Sequence, residues 1–378
     1  MELTLNRAVL DIPPIGIRAF ADLARSTPGA VSLTIGEPDL NTPEAVKEAA
    51  KRALDANDTH YPEGNGNLYL RQAIAAFERR RNGLAYDPEE IIVTIGATGA
   101  LFAGLFTILN PGDEVIIPTP AFSLYEAIVR LCRGVPVALP TENDRFQVDP
   151  DKLRRALTAK TKAVILTSPN NPTGCVYTQE TLEGLHRVLK DQPVFVLCDE
   201  VYRQLTYTDS FRSFSAYQDM HDRILVVQSF SKPYAMTGWR VGYLMADAAV
   251  RERAQMVHQY GVVAAPSFIQ PACAEALNYD NSADVALFRR RRDYVYSRLT
   301  EMGLPVEKPE GAFYVFAGIS QFGMDSLTFC TRMVREGLVA AVPGCYFGTE
   351  GYMRISYCYG DDELRDGLNR IQRFIRSL

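Results

Sequence analysis

The stretch SFSKPYAMTGWRVGY, residues 229–243, places Lys232 eight positions ahead of Arg240 and just after two serines. It continues the apolar run ILVVQSF, and the next formal charge toward the N-terminus is Arg223. Such isolation implies a buried lysine, whose desolvated amine is neutral, and so nucleophilic, at lower pH than a surface lysine. Moving a lysine from about 10.4 to roughly 7–8 corresponds to about 4 kcal/mol, reachable by burial plus a nearby cation such as Arg240. Two other apolar runs also end in polar clusters: KAVILTS leads into PNNPTG (169–174) and VFVLC into DEVY (199–202). Taken singly, these clusters have plainer readings, an Asx/Pro turn around Asn171 and a helix-capping acid at Asp199.

The elements that must position these residues follow from hydrophobic patterning. Short β-branched runs at 91–95, 114–118, 135–139, 162–168, 194–200, 224–230 and 241–246 read as strands. Helix-length segments with start signals lie between several of them, such as Asp149-Pro150 before 151–158 and Thr178 before 179–190. Strands apolar on both faces and alternating with helices predict an α/β fold, a mostly parallel seven-stranded sheet sandwiched by helices. Beyond residue 247 the pattern shifts to helices at 247–260, 266–279 and 283–302. It continues with strands at 313–317, 339–343 and 352–357 and helices at 325–336 and 361–376, a smaller α+β domain. The first 45 residues read as an extended arm with a tight turn at Gly36-Glu37-Pro38-Asp39, leading to a helix that starts at Pro43 behind an N-cap Thr42. The expected division is an arm at 1–45 that contributes to the small domain and the active site, a large domain at 46–280 and a small domain at 281–378.

Ligands of open parallel sheets sit outside the carboxyl ends of the strands, so the three clusters should converge on one crevice. The segment IGATGAL (95–101) adds a glycine-bearing turn into a helix, whose free N–H groups and dipole suit a phosphate. Glycine there also serves simple turn geometry, but Arg240, Ser229 and Ser231 could clamp the same anion. A phosphate seat beside a reactive lysine, an aspartate and an asparagine is what pyridoxal 5'-phosphate requires.

Together, PNNPTG, DEVY, SFSKPYAMTGWRVG and the later YMRISY resemble the class I, fold-type I pyridoxal-phosphate aminotransferases. The resemblance runs from SLTIGEPD (32–39) and YPEGNGNLYLRQAIA (61–75) through GAFYVF to the last helix, and is nearest the bacterial aspartate, aromatic and N-acetyl-diaminopimelate subgroup. It implies a ping-pong transfer of an amino group from an L-amino acid to a 2-oxo acid, 2-oxoglutarate by family habit. Lys232 would be the Schiff-base lysine and proton carrier, and Asp199 the partner of the pyridine nitrogen. Tyr202 and Asn171 would bond the ring hydroxyl oxygen. Ala97, Thr98, Ser229 and Arg240, with Ser231, would hold the phosphate. Phe122 in PTPAFSLYE stands where a stacking aromatic is expected, though tyrosine or tryptophan is commoner there. Tyr61 would reach the phosphate of a neighbouring subunit, implying a homodimer with shared sites. Arg354 would grip the substrate α-carboxylate with help from Asn171 and the Gly36 backbone. Without the resemblance, Arg354 reads as a surface or interdomain ion pair. Arg18 in PPIGIRAF is a candidate for a second, distal acid, with a plain surface arginine as the alternative.

Two rival chemistries share parts of this pattern. A pyridoxal-phosphate C–S β-lyase would keep the lysine, aspartate and phosphate groups, and Ser229 to Lys232 formally fits the SxxK of Ser-Lys acyl hydrolases. That hydrolase class also needs SDN and KTG, and neither tripeptide occurs. A net charge of −5 gives no reason to expect nucleic acid, and the arginine runs 79–81 and 289–292 read as solvated helix faces. The most apolar stretches, such as LFAGLFTILN, are too short for a membrane span. The N-terminus lacks the pattern of a secretory signal. Seven scattered cysteines and four dispersed histidines point to reduced thiols, a cytoplasmic setting and no metal site.

Overall fold

The computed structural model describes residues 4–12, 16–209 and 211–378 of the chain. Its strands are β1 (Val31–Ser32), β2 (Ile91–Thr94), β3 (Glu114–Thr119), β4 (Val135–Pro140), β5 (Thr161–Thr167), β6 (Phe195–Asp199), β7 (Ile224–Ser229), β8 (Gly242–Ala246), β9 (Tyr314–Gly318), β10 (Val339–Ala340), β11 (Val342–Pro343) and β12 (Tyr352–Ser356). The helices begin with α1 (Arg7–Leu10), α2 (Gly16–Ser26), α3 (Glu44–Asp55), α4 (Leu68–Asn82), α5 (Gly96–Ile108) and α6 (Leu124–Leu131). They continue with α7 (Pro150–Ala156), α8 (Gln179–Leu189), α9 (Ala248–Val262), α10 (Gln270–Ala276), α11 (Ser282–Glu301), α12 (Ser326–Gly337) and α13 (Asp361–Arg376).

Seven strands form one sheet in the order β2-β8-β7-β6-β5-β3-β4, parallel except that β8 runs antiparallel to both neighbours. Alternate residues of each strand feed two separate cores. Val196 and Cys198 of β6 join Val226, Val164 and Ile116 on one face, while Leu197 joins Leu225, Ile165 and Val115 on the other. Helices cover both faces, which is why the strands read as continuous apolar runs. β5, β6 and β7 are adjacent, so their carboxyl ends open onto one edge. Because β8 is antiparallel, its beginning, just after Arg240, faces that same edge.

A third core gathers around β9, β12, α11, α12 and α13, with β11-β12-β9 as an antiparallel sheet. The expected strand 339–343 is in fact two: β10 pairs in parallel with β1, and β11 with β12. The chain changes partners at Ala341, so one apolar run serves two sheets.

The arm is not extended throughout, since it carries α1 and α2 before the extended residues 31–38 and a bend at Asp39 and Leu40. Phe20, Ala21 and Ala24 make a buried helical stripe on α2. The arm residues Pro13, Pro14 and Ile15 lie outside the described residues, as do Met1 to Leu3. Thr42 is not a cap: its hydroxyl donates to the Ala235 carbonyl at 2.7 Å, and Pro43 takes the N-cap position of α3. By contrast Asp149 and Thr178 cap α7 and α8 as expected. The expected helix 266–279 begins as a 3-10 turn at Ser267–Ile269, and α10 then starts with Pro271 in its first turn.

Only half of the 289–292 run is solvated. Arg291 and Arg292 are buried. Arg291 makes a bidentate bond to Asp39, and Arg292 donates to the Pro309 carbonyl and stacks over Tyr207. Among the described residues no helix is long and apolar enough to cross a membrane.

Candidate active site

Where the carboxyl edge of the large sheet meets α2 and β12, a cavity of 530 Å³ opens. Gly36, Ala97, Thr98, Phe122, Asn171, Asp199, Tyr202, Ser229, Ser231, Lys232, Arg240 and Arg354 all line it, and so does Arg18. Of the expected site residues only Tyr61 lies elsewhere, 88% exposed on the segment between α3 and α4.

Lys232 follows β7, and its Nζ donates to the Gly36 carbonyl at 2.6 Å. Burial lowers its amine from 10.5 to about 8; Cys358 and Glu37 oppose the shift, while Arg354 and Arg240 add to it. The Ser229 hydroxyl is 3.4 Å from the Val241 carbonyl and accepts the Ser231 N–H at 3.0 Å. Neither serine bonds the lysine, so the Ser-Lys nucleophile pair of an acyl hydrolase does not form.

Asp199 ends β6 and is buried. One carboxylate oxygen accepts the Tyr125 hydroxyl at 2.8 Å and the other the Val201 N–H at 3.2 Å. Burial raises the carboxyl to about 6, held back by those two hydrogen bonds. Thr167 donates in turn to the Tyr125 oxygen at 3.1 Å, which fixes the phenol. Phe122, at the entry to α6, stands edge-on to Tyr125.

Helix α5 begins at Gly96 without a side-chain cap, and Ala97 and Thr98 of its first turn border the cavity. Gly96 has a φ of +63°, and a Cβ there would lie 2.7 Å from a terminal nitrogen of Arg240. The glycine thus lets the guanidinium rest against uncapped backbone at the positive end of a helix. An arginine held at such a helix start, with Ser229 and Ser231 beside it, suits a dianionic phosphate.

Arg354, on β12, is 2% exposed. Its guanidinium donates to Asn171 Oδ1 at 3.0 Å and to the Thr34 carbonyl, while Nε is buried and unpaired. The rings of Tyr314 and Phe347 flank it at 4.5 and 5.0 Å. Among the described residues it has no carboxylate partner, so the ion-pair reading of this arginine fails. A buried guanidinium left without a counter-ion is costly unless a ligand supplies one.

Sequence reasoning missed Tyr125 and Tyr314. Tyr314 exchanges a hydrogen bond with Tyr202 at 2.8 Å, stacks under Arg354, and approaches Gly36 so closely that a Cβ there would strike its hydroxyl. Tyr125 lies within the quoted PTPAFSLYE, three residues beyond Phe122 and in the first turn of α6. Neighbouring Asn170 plays a different part from Asn171: its side-chain oxygen accepts from Thr173 N–H and hydroxyl and shapes the loop. Among the described residues the one cluster of metal-ligand type, Glu90, His221 and Asp247, does not line the cavity.

A low-pKa lysine, a buried aspartate and an uncapped helix start beside an arginine form a donor set that fits pyridoxal phosphate. A fold-type I site of this class on a seven-stranded sheet is thereby defined. Comparison with known proteins narrows it: the profile of aminotransferase class I and II matches residues 28–371, and the chain belongs to that pyridoxal-phosphate-dependent family. It is 43% identical to the probable N-acetyl-LL-diaminopimelate aminotransferase of Bacillus subtilis over 99% of this chain and 96% of that one. It is 40% identical to aromatic-amino-acid aminotransferase 2 of Thermococcus litoralis, covering 97% of each. The solved structure of Thermus thermophilus aspartate aminotransferase with maleate superposes with a TM-score of 0.94 at 38% identity, over 99% of this chain and 100% of that one. These relatives are aminotransferases, which favours amino transfer over β-elimination.

Proposed function

We propose that this aminotransferase passes an amino group from an L-amino acid to 2-oxoglutarate by a ping-pong route, with residues of this cavity in the roles that follow. The observation that carries the reading is the buried Arg354, bonded to Asn171 and lacking a carboxylate of its own. A substrate α-carboxylate supplies the missing counter-ion, and the unpaired Nε–H supports a two-pronged grip. Pyridoxal phosphate, when bound, supplies a pyridinium conjugated to an aldehyde, able to accept the electron pair left at Cα when its proton departs. Lys232 would hold the cofactor and carry the proton to and from Cα, and Asp199 would pair with the ring nitrogen. Asn171 and Tyr202 would bond the ring oxygen, and Phe122 would cover the ring. Ala97, Thr98, Ser229, Ser231 and Arg240 hold the phosphate. The two substrates use the cavity in turn, the first leaving as its 2-oxo acid before the second enters.

Residues 1–45, 46–280 and 281–378 act in this reading as arm, large domain and small domain. Arg354 and Asn171 come from the small and large parts and already bond each other, so a carboxylate held by both would reinforce that bridge between the two. A homodimer with shared sites completes the proposal. Tyr61 and Tyr260 are 88% and 93% exposed, and with Phe102, Phe106 and Met256 they form apolar surface suited to a second copy. Tyr61 would then reach the partner's phosphate. Cytoplasmic amino-acid biosynthesis, with small-molecule substrates only, is the proposed setting.

Assaying aspartate, aromatic amino acids and N-acetyl-diaminopimelate as donors to 2-oxoglutarate tests this function; no 2-oxo product from any donor would overturn it. Arg354→Ala should lose about 2–5 kcal/mol of transition-state binding, roughly 30- to 4000-fold in kcat/KM, for every donor alike. A loss restricted to one donor would instead assign Arg354 to a side-chain pocket. Lys232 attacks an aldehyde only as the neutral amine. Capture of pyridoxal phosphate by the cofactor-free protein, followed by stopped-flow absorbance, should therefore quicken as pH rises, pass half its maximum near pH 8 and level off about one unit above. A rate still climbing toward pH 10 would mean an unperturbed lysine.

A further inference from the structure

β9 and β12 lie antiparallel, with Arg354 opposite Phe316 and Ser356 opposite Tyr314. Arg354 and Tyr314 are therefore diagonal neighbours on one face, close enough for an aromatic ring to bridge. Both line the cavity, and the guanidinium lies 4.5 Å from the centre of the Tyr314 ring. At the far end of that ring the Tyr314 hydroxyl meets the Tyr202 hydroxyl at 2.8 Å, and both phenols are buried. Among the described residues no other hydrogen-bond partner reaches the Tyr202 hydroxyl. Tyr314 thus spans the distance from the carboxylate grip to the phenol assigned to the cofactor ring.

A phenol carries one proton, so it can donate to one atom while its oxygen accepts from another. If Tyr202 donates to the ring oxygen of pyridoxal phosphate, its own oxygen is left to be filled, and Tyr314 is the group placed to fill it. The Arg354 cation over the Tyr314 ring favours negative charge on the phenol and so strengthens its O–H as a donor. Burial nevertheless pushes that phenol up to about 12, with Cys358 and Tyr359 acting the same way and Arg354 and Tyr202 against them. Tyr314 therefore keeps its proton and can donate throughout the neutral range. A hydroxyl that accepts such a bond becomes a stronger donor itself, so Tyr202 would hold negative charge on the ring oxygen more firmly.

We infer that Tyr314 is a positioning residue with two separable parts: its hydroxyl orients and strengthens the Tyr202 hydroxyl toward the cofactor's ring oxygen, while its ring braces Arg354 for the substrate carboxylate. This rests on the pyridoxal-phosphate aminotransferase reading above, in which Tyr202 and Arg354 have those tasks. Gly36 walls the hydroxyl closely, since a Cβ there would strike it, and so keeps the phenol against Tyr202. The two parts come apart by substitution. Phenylalanine keeps the ring under Arg354 and loses only the hydroxyl, whereas leucine loses both.

The test is a pH titration of the cofactor absorbance in protein loaded with pyridoxal phosphate, joined to steady-state kcat and KM. Weaker donation makes the ring oxygen, and with it the adjoining linkage to Lys232, more basic. In Tyr314→Phe the titration midpoint should therefore move up by about 0.5–1 pH unit, and kcat should fall about 3- to 10-fold with KM nearly unchanged. Tyr314→Leu should in addition raise KM about threefold or more for every donor. In a Tyr202→Phe background, Tyr314→Phe should leave the midpoint where the first substitution has set it, because the hydroxyl acts through Tyr202. A midpoint unmoved by Tyr314→Phe, or an equal further shift in the double variant, overturns the inference. Wild-type protein that takes up no pyridoxal phosphate instead overturns the cofactor reading beneath it.

Discussion

Lys232→Ala protein is expected to lose at least about 10⁴-fold in kcat while still taking up pyridoxal phosphate. The two parts of that expectation have different physical sources. Turnover needs a base that can be neutral near physiological pH beside Cα, and burial lowers this amine to about 8. Retention would need only the proposed phosphate seat at Gly96 to Thr98, Ser229 and Arg240, where an uncapped helix start meets the guanidinium, and not the lysine. Dialysis followed by absorbance measures the second part, and steady-state assay the first. Turnover within tenfold of wild type would mean that another group moves the proton.

Replacing Asp199 should cost about 100- to 1000-fold in kcat for the alanine variant, with a smaller effect on KM. The carboxyl pays for its burial through the Tyr125 hydroxyl and the Val201 N–H, which keep its pKa near 6 rather than higher. In the proposed role a pyridinium opposite it would lower that value further, since an opposite charge favours the ionised form. At pH 7 the carboxylate would then be charged and would hold the proton on the ring nitrogen. Tyr125→Phe removes one of the two supports and should shift the acid limb of the pH–rate profile upward with a modest loss of rate. A profile and rate unchanged in both variants would show that the ring nitrogen needs no carboxylate.

How much of this was legible in the sequence depends on what kind of signal each residue leaves. Lys232, Asp199 and Asn171 announce themselves because each lies at or just past the carboxyl end of an apolar strand, and topology brings adjacent strand ends together. Arg240 and Gly96 meet because an antiparallel β8 begins at the edge where α5 starts, a pairing that spacing alone does not reveal. Tyr125 and Tyr314 were missed since an aromatic within a helix or a strand looks like core until its hydroxyl finds a partner. Helix α2, as long as α8, was hidden by the prolines before it, which made the segment read as an extended arm. Arg291 and Arg292 misled in the opposite sense: a four-arginine run looks solvated, yet Asp39 and the Pro309 carbonyl draw two of them inward.

Reduction with borohydride followed by peptide mapping tests the central claim most directly. The purified protein with pyridoxal phosphate should be yellow, and reduction should fix one cofactor per chain on the peptide containing Lys232, blocked by prior addition of amino acid without an acceptor. Label on a different lysine, or none on a protein that still turns over, would contradict it.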